Sequence, residues 1–182
     1  MVSVEFSADD AEGLARWWAA ALGWRAEGSI VWPDGPGVAL RFTSPATPKA
    51  SKNGIHLDLR SEDHHDQRKT VERLFNAGAG FADIGQGDTV PWVVMSDPEG
   101  NELCVLEPRE VYHDTGPLAA IVIDCADPHA QVGIWSSVTG QPVTHDEDDY
   151  AGLQLKSGPY LEFLRSPTGP EGRLRLLTGP VR

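Results

Sequence analysis

Residues 54–79 read "GIHLDLRSEDHHDQRKTVERLFNAGA", and the change of period inside this stretch decides the fold. Ile55, Leu57 and Leu59 alternate with His56, Asp58 and Arg60, the two-residue period of a strand with one face in a core. An acidic cluster ending at Asp63 then supplies a helix cap. Beyond it Val71, Leu74 and Phe75 fall on one face of a helix. The stretch is therefore strand, cap and amphipathic helix in 26 residues.

The same layout occurs twice more, in "VSVEFSADDAEGLARWWAAALGW" (2–24) and "LAAIVIDCADPHAQVGIWSSVTGQ" (118–141). Such self-similarity marks a repeat architecture. Aligned on Asp10, Asp63 and Asp127, the three copies place Trp17-Trp18, Thr70-Val71 and Ile134-Trp135 in register. Gly23 and Gly140 then stand at one offset, where glycine ends a helix. Asp127-Pro128 is an N-cap followed by proline in the first turn. Leu14, Trp17, Trp18, Ala21 and Leu22 form the core face of the first helix, and Ile134, Trp135 and Val138 that of the third. The tryptophans read as core anchors.

Each helix is followed by strands. In the second copy these are "PWVVMSDPEGNELCVLEP" (91–108), two strands joined at Asp97-Pro98-Glu99-Gly100, where proline presets a turn and glycine closes it. The segments 43–53 and 107–117 read as linkers. The fold class is α+β, built from repeated βαβββ units. Two domains are expected, residues 1–110 holding units 1 and 2, and residues 116–182 holding unit 3.

Composition excludes several function classes. The net charge is −12, and both parts of the chain, split after residue 110, are acidic, so neither nucleic acid nor an anionic membrane is an expected partner. No stretch approaches the roughly 20 apolar residues of a membrane span. Cys104 and Cys125 have no metal-binding spacing and read as reduced core thiols, which, with no recognisable signal peptide, suits the cytoplasm. A small molecule is the expected partner.

The repeated strand–helix–three-strand unit, "HLDLR" (56–60) and "WVVMSDPEGNELCVLEP" (92–108) resemble the vicinal oxygen chelate superfamily of glyoxalase I, extradiol dioxygenases and bleomycin-resistance proteins, and within it the actinobacterial glyoxalase-like domains. The resemblance covers residues 1 to about 110 as a pair of units and 118–167 as a third. It implies that paired units wrap around a cavity, giving one paired half-open barrel plus a third unit. A divalent metal, where present, is held there by a first-strand residue and a last-strand glutamate from each unit. The first-strand position is His56 in unit 2, Ser3 in unit 1 and Ala120 in unit 3. The last-strand position is Cys104, Arg41 and Glu162 respectively.

With units 1 and 2 paired, the implied set is Ser3, Arg41, His56 and Cys104. That set suits no hard divalent ion, since a guanidinium repels cations and two remaining ligands rarely suffice. No catalytic metal and no cofactor are expected. Alternation instead puts Ser3, Glu5, Arg41, His56, Asp58, Arg60 and Cys104 on the cavity side, with Trp92 and Trp32 as aromatic walls. Arg41 is a candidate partner for a ligand carboxylate or phenolate, or else neutralises Glu5 or Asp58. His64, His65, His113 and His129 are weaker candidates, and "HDEDDY" (145–150) reads as a solvated turn.

The leading reading is a cytoplasmic protein that binds or sequesters a small organic molecule through His56, Arg41, Asp58, Glu5, Cys104, Trp92 and Ser3. The alternatives are a metal-dependent lyase, isomerase or dioxygenase with His56 as one ligand, and a non-catalytic scaffold. Three units leave one unpaired, so unit 3 is expected to close a barrel with unit 3 of a second chain, as a homodimer, or to pack as a lid.

Overall fold

The computed structural model describes residues 2–35, 37–87, 89–156, 158–167 and 169–181. Unit 1 comprises β1 (Val2–Ser7), α1 (Ala11–Leu22), β2 (Arg25–Glu27), β3 (Ile30–Trp32) and β4 (Ala39–Thr43). Unit 2 comprises β5 (Ile55–Leu59), α2 (His64–Asn76), β6 (Gly80–Phe81), β7 (Val93–Ser96) and β8 (Glu102–Val105). Unit 3 comprises β9 (Leu118–Cys125), α3 (Pro128–Thr139), β10 (Val143–Asp146), β11 (Tyr150–Gln154) and β12 (Tyr160–Arg165). A last strand, β13 (Leu174–Thr178), follows. The α+β class and the repeated unit stand as the sequence predicts.

The three aligned aspartates are the three N-caps. Asp10 accepts from the Gly13 N–H, Asp63 from those of His65 and Asp66, and Asp127 from that of Ala130. Gly23 and Gly140 end their helices at φ 69° and 70°, the left-handed conformation in which a Cβ is penalised. Within every unit the first and last strands run parallel: β1 with β4, β5 with β8, β9 with β12.

The pairing of units differs from expectation. One sheet has the order β10-β11-β12-β9-β5-β8-β7-β6, so unit 2 is joined to unit 3 through antiparallel β5 and β9, with His56 opposite Val122 and Asp58 opposite Ala120. The other sheet has the order β13-β1-β4-β3-β2. There β13 lies antiparallel on β1, with Val4 opposite Leu176, taking toward unit 1 the place that β9 takes toward unit 2. Strand pairing thus runs across the expected division at residues 110–116.

The physical reason lies in the strands themselves. Every residue of β5 and β9 is buried, which suits two central strands covered on both faces, whereas β1 keeps Glu5 and Ser7 partly exposed. Unit 3, expected to close a barrel with unit 3 of a second chain or to pack as a lid, has its first strand β9 flanked within this chain by β12 and β5.

One core spans both sheets. Phe6 and Phe42 stack under α1 with ring centroids 4.8 Å apart, Trp18 of α1 meets Phe6 at a tilt, and Ile55, Leu57 and Leu59 join the same cluster. The α3 core face is corrected: Val132 is buried and Trp135 packs against the core, while Ile134 and Val138 are more than half exposed. Residues 132 and 135 share one face, and 134 and 138 share the next one round the helix. Phe75 is likewise exposed and stacks loosely on Phe81.

The Asp97–Asn101 turn clasps the sheets together. Asp97 accepts from the Trp18 indole N–H at 3.0 Å and from Asn101 and Glu99. The Glu99 carboxylate accepts from the backbone N–H groups of Asp9 and Asp10 just before α1. Burial still pushes the Asp97 carboxyl up, with these hydrogen bonds opposing it. Among the described residues no helix is long and apolar enough to cross a membrane.

Candidate functional site

The paired sheet of units 2 and 3 curves around a cavity of about 430 Å³. Its floor carries His56 and Asp58 from β5, Cys104 from β8, Val122 from β9 and Glu162 from β12. Its walls are Trp92, Leu106, Tyr150 and Leu164, and its mouth is crossed by Arg109, Val111 and Tyr112. The alternation in β5 explains the floor. Ile55, Leu57 and Leu59 go under the helices into the main core, so His56 and Asp58 must point the other way. On that side Cys104, Leu106, Tyr112 and Ala119 form a second apolar cluster, with Trp92 and Tyr160 against it.

Strand register sets the spacing of the polar groups. Asp58 lies directly across from Cys104 on β8, and Glu162 lies across from Val122, the residue opposite His56. His56 Nε2 stands 3.4 Å from Asp58 Oδ1, with both side chains about nine-tenths buried. Even so, His56 Nδ1 and Asp58 Oδ1 have no hydrogen-bond partner among the described residues. Buried polar atoms are rarely left this way, and each such atom costs about 1–3 kcal/mol unless something fills the site.

Burial controls the charge states. It lowers the His56 pKa to about 4, helped by the Lys52 charge, so the imidazole is neutral at pH 7. It raises the Asp58 pKa to about 8, assisted by Glu162 and opposed by the Cys104 hydrogen bond and Arg109. The Cys104 thiol is pushed up by burial and by Asp58. Glu162 is pushed up by burial, against hydrogen bonds from Tyr112 and Tyr150. At the mouth the Arg109 guanidinium pairs with Glu107 at 2.5 Å and lies over the Trp92 and Tyr112 rings at 5.5 and 5.9 Å.

Four of the residues expected from the sequence meet here: His56, Asp58, Cys104 and Trp92. Ser3, Glu5 and Arg41 lie on the sheet of unit 1 and β13, where Arg41 Nη1 stands 3.9 Å from Glu5 Oε2. Trp32 is on that sheet too, as part of β3. Glu102 is buried but turned to Lys49 and the Asn53 N–H. His113, His129 and His145 pair with Asp114, Asp146 and Glu147, outside the cavity. Arg109, Tyr112 and Tyr150 were missed as site residues. The first two sit in a segment read as a linker and the third at the end of one read as a solvated turn. The one available signal was Val111-Tyr112, an apolar pair amid polar neighbours.

The re-paired units change the implied metal positions from Ser3, Arg41, His56 and Cys104 to His56, Cys104, Ala120 and Glu162. Arg41 no longer faces the site. Ligand atoms of His56, Asp58 and Cys104 all lie within 4.8 Å of one another, which no other group of three or more such residues does among the described residues. One nitrogen, one oxygen and one sulfur donor fit zinc better than a hard ion, and three ligands leave a position open.

Paired βαβββ units enclosing a cavity are the architecture of the glyoxalase and bleomycin-resistance superfamily. The chain belongs to the glyoxalase-like domain family, whose model matches residues 3–106 and again 120–179. No curated protein matches it. Glyoxalase I from Zea mays is 14% identical over 90% of this chain and 67% of its own, with a TM-score of 0.59. A Bacillus subtilis protein described as a candidate dioxygenase is 14% identical over 94% of this chain and 64% of its own, with a TM-score of 0.57. The chain thus spans about two thirds of the length of these two structures. A glyoxalase/bleomycin resistance protein from Albidiferax ferrireducens T118 is 19% identical over 58% of this chain and 95% of its own, with a TM-score of 0.44.

Proposed function

We propose that this chain binds a small organic molecule in the cavity between units 2 and 3, in a binding or sequestering role. The observation that supports this most is the two partnerless buried atoms, His56 Nδ1 and Asp58 Oδ1, at the floor of an aromatic-walled cavity. Small-molecule sites combine these features: apolar and aromatic walls with a few convergent polar groups. In this reading neutral His56 and protonated Asp58 exchange hydrogen bonds with the polar end of the ligand. Trp92, Tyr112 and Tyr150 cover its rings, and Arg109 meets polar atoms left at the mouth. On the strength of 56–60 and 92–108, its nearest kin are expected among actinobacterial glyoxalase-like domains.

A thermal-shift screen of aromatic metabolites and antibiotics tests the proposal. A ligand at 100 times its Kd stabilises by about 2.7 kcal/mol if it binds only the folded state. A hit lost in His56→Ala supports the reading. A panel with no hit favours an idle scaffold.

A second reading is favoured by the grouping of His56, Asp58 and Cys104: these residues hold a zinc-class ion, and the protein is a metal-dependent enzyme of its superfamily. Such an ion would supply a Lewis acid with an open coordination position at the cavity floor. His56 and Cys104 would be its nitrogen and sulfur donors and Asp58 its carboxylate. Metal analysis of protein purified without chelators, repeated on His56→Ala, separates the readings. Stoichiometric metal lost in the variant would replace the first reading with the second.

A further inference from the structure

We infer that Tyr112, together with Tyr150, holds Glu162 out of the His56–Asp58–Cys104 group and so sets which ion that group takes. The inference rests on the metal reading of the site. Glu162 lines the same cavity, yet its ligand atoms stand outside the 4.8 Å group. Register explains part of the gap, because His56 and Glu162 are separated by β9, about two strand spacings or roughly 10 Å of backbone. Both side chains project into the same cavity from one curved sheet, so the contacts Glu162 makes decide whether its carboxylate turns toward the group.

Two phenols make those contacts. The Tyr112 hydroxyl donates to Glu162 Oε1 at 2.7 Å, and Tyr150 supplies a second hydrogen bond. Tyr112 is itself fixed. It closes the short 3-10 turn Glu110–Tyr112, its carbonyl accepts from the Thr115 hydroxyl at 2.9 Å, and its ring meets Tyr160 edge-on at 5.5 Å. Only 4% of it is exposed. The segment joining units 2 and 3 therefore reaches into the site to occupy one carboxylate.

The consequence is chemical. With Glu162 withheld, the donors are one imidazole, one carboxylate and one thiol, a borderline-soft set with an open position. With Glu162 released, a second carboxylate would fill that position and bind harder ions more firmly. Tyr112 is thus a positioning residue acting through Glu162.

Cobalt(II) titration of the full chain, followed by thiolate-to-cobalt absorption, tests this. The wild type is expected to bind one ion, with the thiolate band absent in Cys104→Ser. Tyr112→Phe/Tyr150→Phe should tighten binding about tenfold, the lower end of what outer-shell changes produce, and adding Glu162→Gln should reverse the gain. Glu162→Gln alone keeps an amide acceptor for both phenols and should leave wild-type affinity unchanged. A loss of about tenfold in that single variant would overturn the inference, because Glu162 would already be a ligand. So would an unchanged affinity in the double phenylalanine variant, with melting curves verifying that it is folded. Absence of cobalt absorption in every protein would instead defeat the metal reading, and the inference with it.

Discussion

The two sheets are built from the same repeat, yet their equivalent positions hold opposite chemistry. On the sheet of unit 1, Ser3, Glu5 and Arg41 occupy the places that His56, Asp58 and Cys104 occupy in unit 2. In both sheets the carboxylate lies across from the last-strand residue: Glu5 opposite Arg41, and Asp58 opposite Cys104. A guanidinium neighbour gives Glu5 a partly exposed ion pair. A thiol neighbour gives Asp58 no counter-charge, and burial then forces it toward the neutral acid. One cross-strand residue thus separates an ion-paired sheet face from a cavity floor of buried, largely uncharged polar groups.

The largest expected effect comes from breaking the clasp between the sheets. Trp18→Ala removes a fully buried ring from the core under unit 1 and its hydrogen bond to Asp97 in unit 2. It should cost about 3–5 kcal/mol in urea unfolding. A loss under about 1 kcal/mol would mean the sheets do not share this anchor.

Next is the pH dependence of stability in metal-free protein. The folded Asp58 pKa of about 8 exceeds its ordinary 3.8, so the folded state holds the extra proton between those values and stability falls as pH rises through that window. The folded His56 pKa of about 4 lies below 6.5, so its contribution rises with pH between those values. The two oppose each other up to pH 6.5, leaving a net fall between about pH 6.5 and 8. At about 1.4 kcal/mol per pH unit, that fall is roughly 2 kcal/mol. Asp58→Asn should remove the Asp58 part of that fall, leaving only what the raised Glu162 and Asp97 carboxyls contribute, and expose more of the rise due to His56 between pH 4 and 6.5.

The smallest effect sharpens the contrast. Arg41→Ala should change stability by no more than about 1 kcal/mol, as for other partly exposed ion pairs. A cost above 2 kcal/mol would show that the unit 1 face is more tightly built than its exposure suggests.

Much of this was legible in the sequence because it depends on local spacing. The aspartates that aligned the repeats are the helix caps, and the alternation of residues 55–59 turned His56 and Asp58 away from the helices. The choice of partner unit was not legible. Each unit carries the same layout, and proximity along the chain favoured units 1 and 2. The continuous burial that makes β9 the partner of β5 shows in "LAAIVIDC" only as an apolar run, which fits several places in a sheet. That choice moved Ser3, Glu5 and Arg41 to the other sheet. Tyr112 escaped because a short 3-10 turn carries no periodicity, and Tyr150 because it follows four acidic residues.

The central claim is that the ligand site lies between units 2 and 3. Tryptophan quenching, with a hit from the aromatic panel titrated into wild type, Trp92→Phe, His56→Ala and Arg41→Ala, tests it most directly. Saturable quenching is expected in the wild type, retained in Arg41→Ala, lost in His56→Ala and strongly reduced in Trp92→Phe. Quenching that survives in His56→Ala and disappears in Arg41→Ala would put the site on the unit 1 sheet and contradict it.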